Sequence, residues 1–218
     1  MPACRQMRGA RKWRARLALT LALGTMATVA LADLRVEVHE SVNGSEPATV
    51  VFWFGDQRST RDDGTRYIVT RLDLNKTFII NRLSKKYRVI DMHLDENQAA
   101  PEVVVKRSDD IRQINGWTAR RYRIGGPAAR GLTIDLWISD DLGVSLDGFD
   151  QLMVRLGNRK GSAWLKAYRT LDGFPVLQHI SLRRTGLRLE STSQVVSIEQ
   201  RTPETYIYKP PPGYTKLQ

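Results

Sequence analysis

The sequence predicts a mainly β fold with antiparallel connectivity, on three observations. Apolar residues recur at every second position through most of the chain, as in strands that bury one face. The segments marked this way are joined by brief polar connections, too short for the crossover of a dozen or more residues that parallel neighbours need. One stretch, from Phe149 to Leu156, changes to helical spacing.

The elements follow in order. Residues 1–32 read as a cleavable secretory signal. Arg5, Arg8, Arg11, Lys12, Arg14 and Arg16 make a basic start, Leu17 to Ala32 form a short apolar run, and Ala30-Leu31-Ala32 places small residues for cleavage after Ala32. The run is too short and weakly apolar for a spanning helix, which needs roughly 20 such residues. The chain carries a formal charge of +11, but all six charges of the leader are basic. Removing them leaves 28 Lys and Arg against 23 acids in residues 33–218, a mild +5. That excess suits transient contact with anionic envelope surfaces and argues only weakly for nucleic acid. Cys4 is the one cysteine and lies in the leader, so the mature chain has no disulfide, thiol nucleophile or cysteine metal site. Asp33 stands where a lipoprotein signal would require cysteine. The expected location is the periplasm of a Gram-negative cell, with residues 33–218 as one domain.

In that domain, Leu34, Val36 and Val38 alternate with Arg35, Glu37 and His39 as a first strand. Thr49 to Phe54 is apolar on both parities, as in a strand buried on both faces or one with core behind and a cavity in front. Arg61-Asp62-Asp63-Gly64 reads as a hairpin tip. Arg66–Asp73, Lys76–Leu83 and Tyr87–Met92 form a meander with polar turns at Asp73–Asn75 and Ser84–Lys86. Val103 to Val105 reads as a short strand, and Asn115-Gly116 is a strong two-residue hairpin signal. Trp117–Ile124 and Leu132–Ser139 flank a Gly125-Gly126-Pro127 loop. Next, Phe149, Leu152, Met153 and Leu156 form an apolar helical stripe behind a cap at Asp147, and Trp164, Leu165 and Tyr168 resume it, predicting a short helical hairpin. Strands return at Pro175–Arg183 and Gly186–Gln200. Tyr206–Lys209 is a last short segment, ended by Pro210-Pro211-Pro212.

Catalytic and cofactor chemistry finds no support. His93 lies among Asp91, Asp95 and Glu96, but one short segment seldom makes a metal site. His39 and His179 fall among polar strand residues. Asp140 and Asp141 read as strand-end caps, and no nucleophile elbow, zinc-protease helix, phosphate loop or dinucleotide fingerprint is present. No catalytic residue, metal or cofactor is expected, and no nucleic-acid partner.

Three segments together resemble a known family. They are Arg71-Leu72-Asp73 through Tyr87 to Met92; Ile114 to Tyr122 with Leu136 to Gly143; and Asp172 to Val176 with Pro212-Gly213-Tyr214. In order and spacing they resemble an uncharacterised family of exported bacterial proteins related to the LolA/LolB outer-membrane lipoprotein carriers, from roughly Arg66 to the end. The resemblance implies a LolA-like fold: an unclosed antiparallel β half-barrel, here of about ten to eleven strands, wrapped over the short helical hairpin with an apolar cavity between. In the carriers such a cavity holds acyl chains. The chain lacks the amphipathic helix that the carriers place near the mature N-terminus.

The expected function is a periplasmic, non-enzymatic carrier or binding protein for a hydrophobic ligand: an acyl chain, a lipid or a lipidated protein. Trp53, Phe78, Trp137, Phe149, Met153 and Trp164 are the candidate apolar lining, since large rings of this kind do not stay in water. Arg120 and Arg121 are candidates for an anionic headgroup at the rim. The alternative is an envelope protein–protein interaction module with a filled core and no ligand.

Overall fold

The computed structural model describes residues 32–92, 103–142 and 170–217. Their strands form one open sheet of twelve. The first six are β1 (Asp33–Val42), β2 (Ala48–Gly55), β3 (Arg58–Asp62), β4 (Arg66–Arg71), β5 (Lys76–Asn81) and β6 (Lys86–Asp91). The second six are β7 (Val104–Ile114), β8 (Trp117–Gly125), β9 (Leu132–Ser139), β10 (Phe174–Arg184), β11 (Leu187–Arg201) and β12 (Thr215–Lys216). Across the sheet the order is β12-β6-β5-β4-β3-β2-β1-β11-β10-β9-β8-β7. Two meanders, β1 to β6 and β7 to β11, are therefore zipped together where β1 pairs with β11 from Asp33↔Arg201 to Val42↔Ser191. All these neighbours are antiparallel except β12, which lies parallel to β6.

Local turn chemistry sets the hairpins. Asn115 and Gly116 both take positive φ, 49° and 89°, the geometry a two-residue turn needs between twisted strands, and Ile114 pairs with Trp117 across it. Asn43-Gly44 repeats the pattern at φ 50° and 76°, with the Ser45 amide donating to the Val42 carbonyl at 3.0 Å. The sheet is curled. The Asn115 side-chain amide, at the β7–β8 tip, donates to the Val195 carbonyl of β11 at 2.6 Å. Three strand spacings separate β8 from β11, about 14 Å on a flat sheet, so only a bent one permits that contact.

The elements differ from the sequence reading at four places. The chain turns at Asp56-Gln57 and adds β3, so Arg61 and Asp62 end a strand instead of forming a hairpin tip. The short strand at Val103–Val105 is the start of the eleven-residue β7. Tyr206–Lys209 forms turns, not a strand, and the proline run does not end pairing, because β12 follows it. The described strands number twelve, against ten to eleven expected. Among the described residues the helix present is a single 3-10 turn, Pro127–Ala129. The anticipated helical hairpin, with Phe149, Met153 and Trp164, and the leader to Leu31 lie outside the described residues.

Apolar packing is on both faces. Behind the first meander, Trp53, Tyr67, Val69 and Ile80 are covered by Tyr208, with Ile207 and Tyr214 against them. The segment after β11 thus straps the back of the sheet. The Tyr67 hydroxyl donates to the Ile207 carbonyl, Arg71 reaches the Tyr208 carbonyl at 3.4 Å, and β12 completes the strap on β6. At its centre the Tyr208 hydroxyl donates to Asp33 Oδ2 at 2.7 Å. The Arg58 guanidinium pairs with the same carboxylate at 3.2 Å and lies 4.3 Å over the Tyr208 ring. Gly55 is needed beneath this cluster, since a Cβ there would stand 2.7 Å from Asp33 Oδ2 and 2.8 Å from Arg58 Nε. Burial pushes the Tyr208 hydroxyl far above its ordinary pKa and that of Tyr67 up to about 12, so both remain proton donors.

Candidate functional site

Opposite the strap, the central strands leave a trough. Two-residue alternation points Val36, Val38 and Glu40 of β1 to one side. Register brings Phe52 of β2 and Ile198 of β11 beside Val36, Val50 and Val195 beside Val38, and Ser193 beside Glu40. Gln178 of β10 then stands next to Ser193, and Ile180 next to Ser191. A cavity of about 230 Å³ runs over this surface, lined as well by Phe174 and Pro175. These two residues stand beside a β-bulge between Pro175 and Leu177, the kind of irregularity at which a sheet accepts proline.

Polarity changes along the strands. One half is apolar: Val36, Val38, Val195 and Phe174, with Phe52 and Phe54 stacked at 6.0 Å between centroids and 6° between planes. The other half carries Glu40, Arg61, Gln178, Ser191 and Ser193. Arg61 is committed to two carboxylates, Glu40 Oε2 at 2.6 Å and Asp63 Oδ2 at 2.8 Å. Burial alone would lower the Arg61 pKa, but the Glu40 charge and the hydrogen bonds to Asp63 and Glu40 hold it above the ordinary value. Asp63 is the reverse case. Burial pulls it up, and the amides of Arg66 and Thr65 with the Arg61 guanidinium outweigh that and keep it low. The mouth is thus a fixed ion cluster beside three small polar side chains.

Of the sequence-predicted lining residues, the three described, Trp53, Phe78 and Trp137, are not among those that line this trough, and Phe149, Met153 and Trp164 lie outside the described residues. Trp53 and Phe78 belong to one cluster, but it lies behind the sheet, because Trp53 has the opposite parity to Phe52 and Phe54. Trp137 packs with Ile114, Ala119 and Phe174, under two guanidiniums, Arg112 at 5.1 Å and Arg121 at 5.2 Å. Its indole Nε1 is buried and has no hydrogen-bond partner among the described residues. The rim pair is not brought together either. Arg120 and Arg121 are consecutive on β8 and project to opposite faces. Arg120 contacts the Ser108 carbonyl at 3.4 Å. Arg121, with Arg123, is bound to the buried Asp135, at 3.0 Å and 2.8 Å. Neither is a free cation at the trough. Phe52 and Phe54 were within reach of sequence reasoning, since their strand is apolar on both parities.

Two of the residues singled out above, His179 and Asp141, have structural partners. His179 Nδ1 lies 3.1 Å from Thr192 Oγ1, and Asp141 accepts the Thr118 amide at 3.1 Å, tying down the start of β8. His93 lies outside the described residues. No group of three or more histidine, cysteine or acidic side chains is placed to hold a metal among the described residues. No helix among them is long and apolar enough to cross a membrane.

Sheet and trough define a class: a single open antiparallel sheet, nearly without helix among the described residues, whose middle strands carry an apolar trough with a polar end. The chain belongs to the family described as Domain of unknown function (DUF4412), which matches residues 55–214. No curated protein matches it significantly. Among solved structures it is similar to MucB in complex with MucA(peri), at 13% identity and a TM-score of 0.47 over 86% of this chain and 57% of that one. It is similar to PNGF-II at 11% identity and a TM-score of 0.43, over 85% of this chain and 31% of that one. The chain therefore spans well under two thirds of both. LolA superfamily proteins are also among its structural neighbours. One from Nitrosomonas europaea is 8% identical, with a TM-score of 0.32 over 82% of this chain and 90% of that one.

Proposed function

We propose that this is a non-enzymatic binding protein of the bacterial periplasm that shelters one apolar chain, such as an acyl tail, in the trough on β1, β2, β10 and β11. The observation that carries the reading is the concave run of Val36, Val38, Phe52, Phe54, Phe174 and Val195, which surrounds about 230 Å³ that the described side chains leave open. A methylene is close to a water molecule in size, whose share of liquid volume is about 30 Å³, so the space suits roughly seven or eight carbons. That is one medium chain or the end of a longer one. At about 0.8 kcal/mol per buried methylene the gross gain is about 6 kcal/mol, enough for reversible capture and release with no bond made or broken. Export is supported by the basic and apolar leader with its small-residue cleavage site before Asp33. The filled docking module has no comparable observation behind it.

The test uses the protein purified from the envelope of the cells that make it. Native mass spectrometry is expected to show an apolar adduct on a chain that begins at Asp33, and the stripped protein to enhance the emission of the uncharged dye Nile red. Ser193→Trp, which fills the half-buried mouth without entering the core, is expected to abolish both. Absence of adduct and dye uptake in the unmodified protein would refute binding. A chain that retains residues 1–32 would refute the compartment.

A further inference from the structure

We infer that the occupant of the trough carries an uncharged, hydrogen-bonding head such as an amide or hydroxyl, and not a carboxylate or phosphate. This rests on the binding reading above and adds what the trough selects. The argument is electrostatic. An anionic head needs an unengaged cation or a set of converging amides. Among the described residues the one cation on the lining, Arg61, has two carboxylates on its guanidinium, and one of these, Glu40, itself lines the trough. A carboxylate entering there would sit beside Glu40 with no free positive group among the described residues to answer it. Such juxtaposition is the usual way a site rejects a like charge.

The same end is well supplied for a neutral head. Gln178 offers an amide donor and acceptor, and Ser191 and Ser193 each a hydroxyl. None of these three side chains is hydrogen-bonded to another described side chain or backbone group. Register places Gln178 and Ser193 side by side, and Glu40 on the other flank of Ser193. Donors and acceptors thus lie in one row across β1, β11 and β10, at the end of the apolar half where a chain's head would emerge.

The experiment compares decanamide and decanoate, equal in chain length, by equilibrium dialysis against the mature protein at pH 7.5. Decanamide is expected to bind at least tenfold more tightly. Glu40→Gln is expected to narrow that ratio at least threefold by strengthening decanoate binding. Ser193→Ala, a milder change at a half-buried position, is expected to weaken decanamide and leave decanoate unchanged. Equal binding, or tighter decanoate, overturns the selectivity while leaving the binding reading in place. Failure of both compounds to bind overturns the two together. Matching thermal melts for the unmodified protein and both variants exclude misfolding as the cause of any difference.

Discussion

Tyr208→Phe isolates one hydroxyl at the strap. The ring is kept, and with it the packing on Trp53, Tyr67 and Ile80 and the Arg58 guanidinium 4.3 Å above the ring. What is lost is the donor 2.7 Å from Asp33 Oδ2. Asp33 is only 5% exposed, so water does not easily take the donor's place. Its carboxylate then depends on Arg58 alone, at 3.2 Å from a guanidinium 40% exposed. A hydrogen bond to a charged acceptor contributes about 1.5–3 kcal/mol, and a neutral one about 0.5–1.5 kcal/mol. Tyr67→Phe is the matched control, because the Tyr67 hydroxyl donates to an uncharged carbonyl, that of Ile207, in the same strap. For a chain of this size about 1 kcal/mol moves the melting temperature by roughly 2–4 °C, so Tyr208→Phe is expected to lower it by about 3–12 °C and Tyr67→Phe by clearly less. Calorimetry measures the shifts, and hydrogen exchange of the amides at 206–209 and in β12 should rise more for Tyr208→Phe. A Tyr208→Phe protein within about 0.5 kcal/mol of the parent in urea unfolding, or a larger loss for Tyr67→Phe, would show that the Asp33 contact does not hold the strap.

Two further predictions concern the second meander. Gly131→Ala is expected to prevent folding or to cost several kcal/mol, since φ is +81° and a Cβ would stand 2.0 Å from the Arg183 carbonyl oxygen, whereas Gly44→Ala, at φ +76° with open space around it, should cost about 1 kcal/mol; soluble yield and urea midpoints decide. Burial alone would raise the pKa of Asp135, but hydrogen bonds and charge from Arg123 and Arg121 hold it below the usual carboxylate range. The stability it contributes is therefore present above the unfolded carboxylate value, near 3.9, and is lost as pH falls through the lower folded value. Asp135→Asn should flatten that acid limb in pH-dependent melts, and an unchanged limb would refute the assignment.

Much of the sheet was legible because alternation and turn chemistry are local. Leu132–Ser139 alternates cleanly and is β9, and Asn115-Gly116 marks the β7–β8 hairpin. β3 escaped because Arg-Ser-Thr-Arg-Asp has no apolar face and Asp56-Gln57 lacks the asparagine–glycine signature, although Gln57 takes φ 49°. β7 escaped for a related reason. It is the outermost strand of its meander, and edge strands tend to carry charge, here from Lys106 to Arg112. Parity separates Trp53 from the trough. Ranking residues by ring size picks Trp53, while the described lining includes Phe52 and Phe54 on the other face of the same strand, and a shift of one residue along a strand reverses the face. The strap was beyond local reading, since Tyr208 and Asp33 are 175 residues apart.

The composition of β11 bears on whether the trough serves stability or binding. From Glu190 to Gln194 the strand reads Glu-Ser-Thr-Ser-Gln, and it lies between β1 and β10 near the middle of a twelve-stranded sheet. Such a position ordinarily favours β-branched or aromatic residues that pack across strands. Thr192 answers to His179 on one face, but Ser191 and Ser193 face the trough beside Val38, Ile180 and Phe174, where valine or isoleucine would close the surface. Small hydroxyls there give up burial and leave hydrogen-bonding capacity open. Places where a sequence departs from the locally stable choice are where function is expected to be found. Ser191→Val with Ser193→Val then separates the two roles: the double variant should gain stability in urea while losing decanamide, and a variant that loses stability would mean that the serines serve the fold.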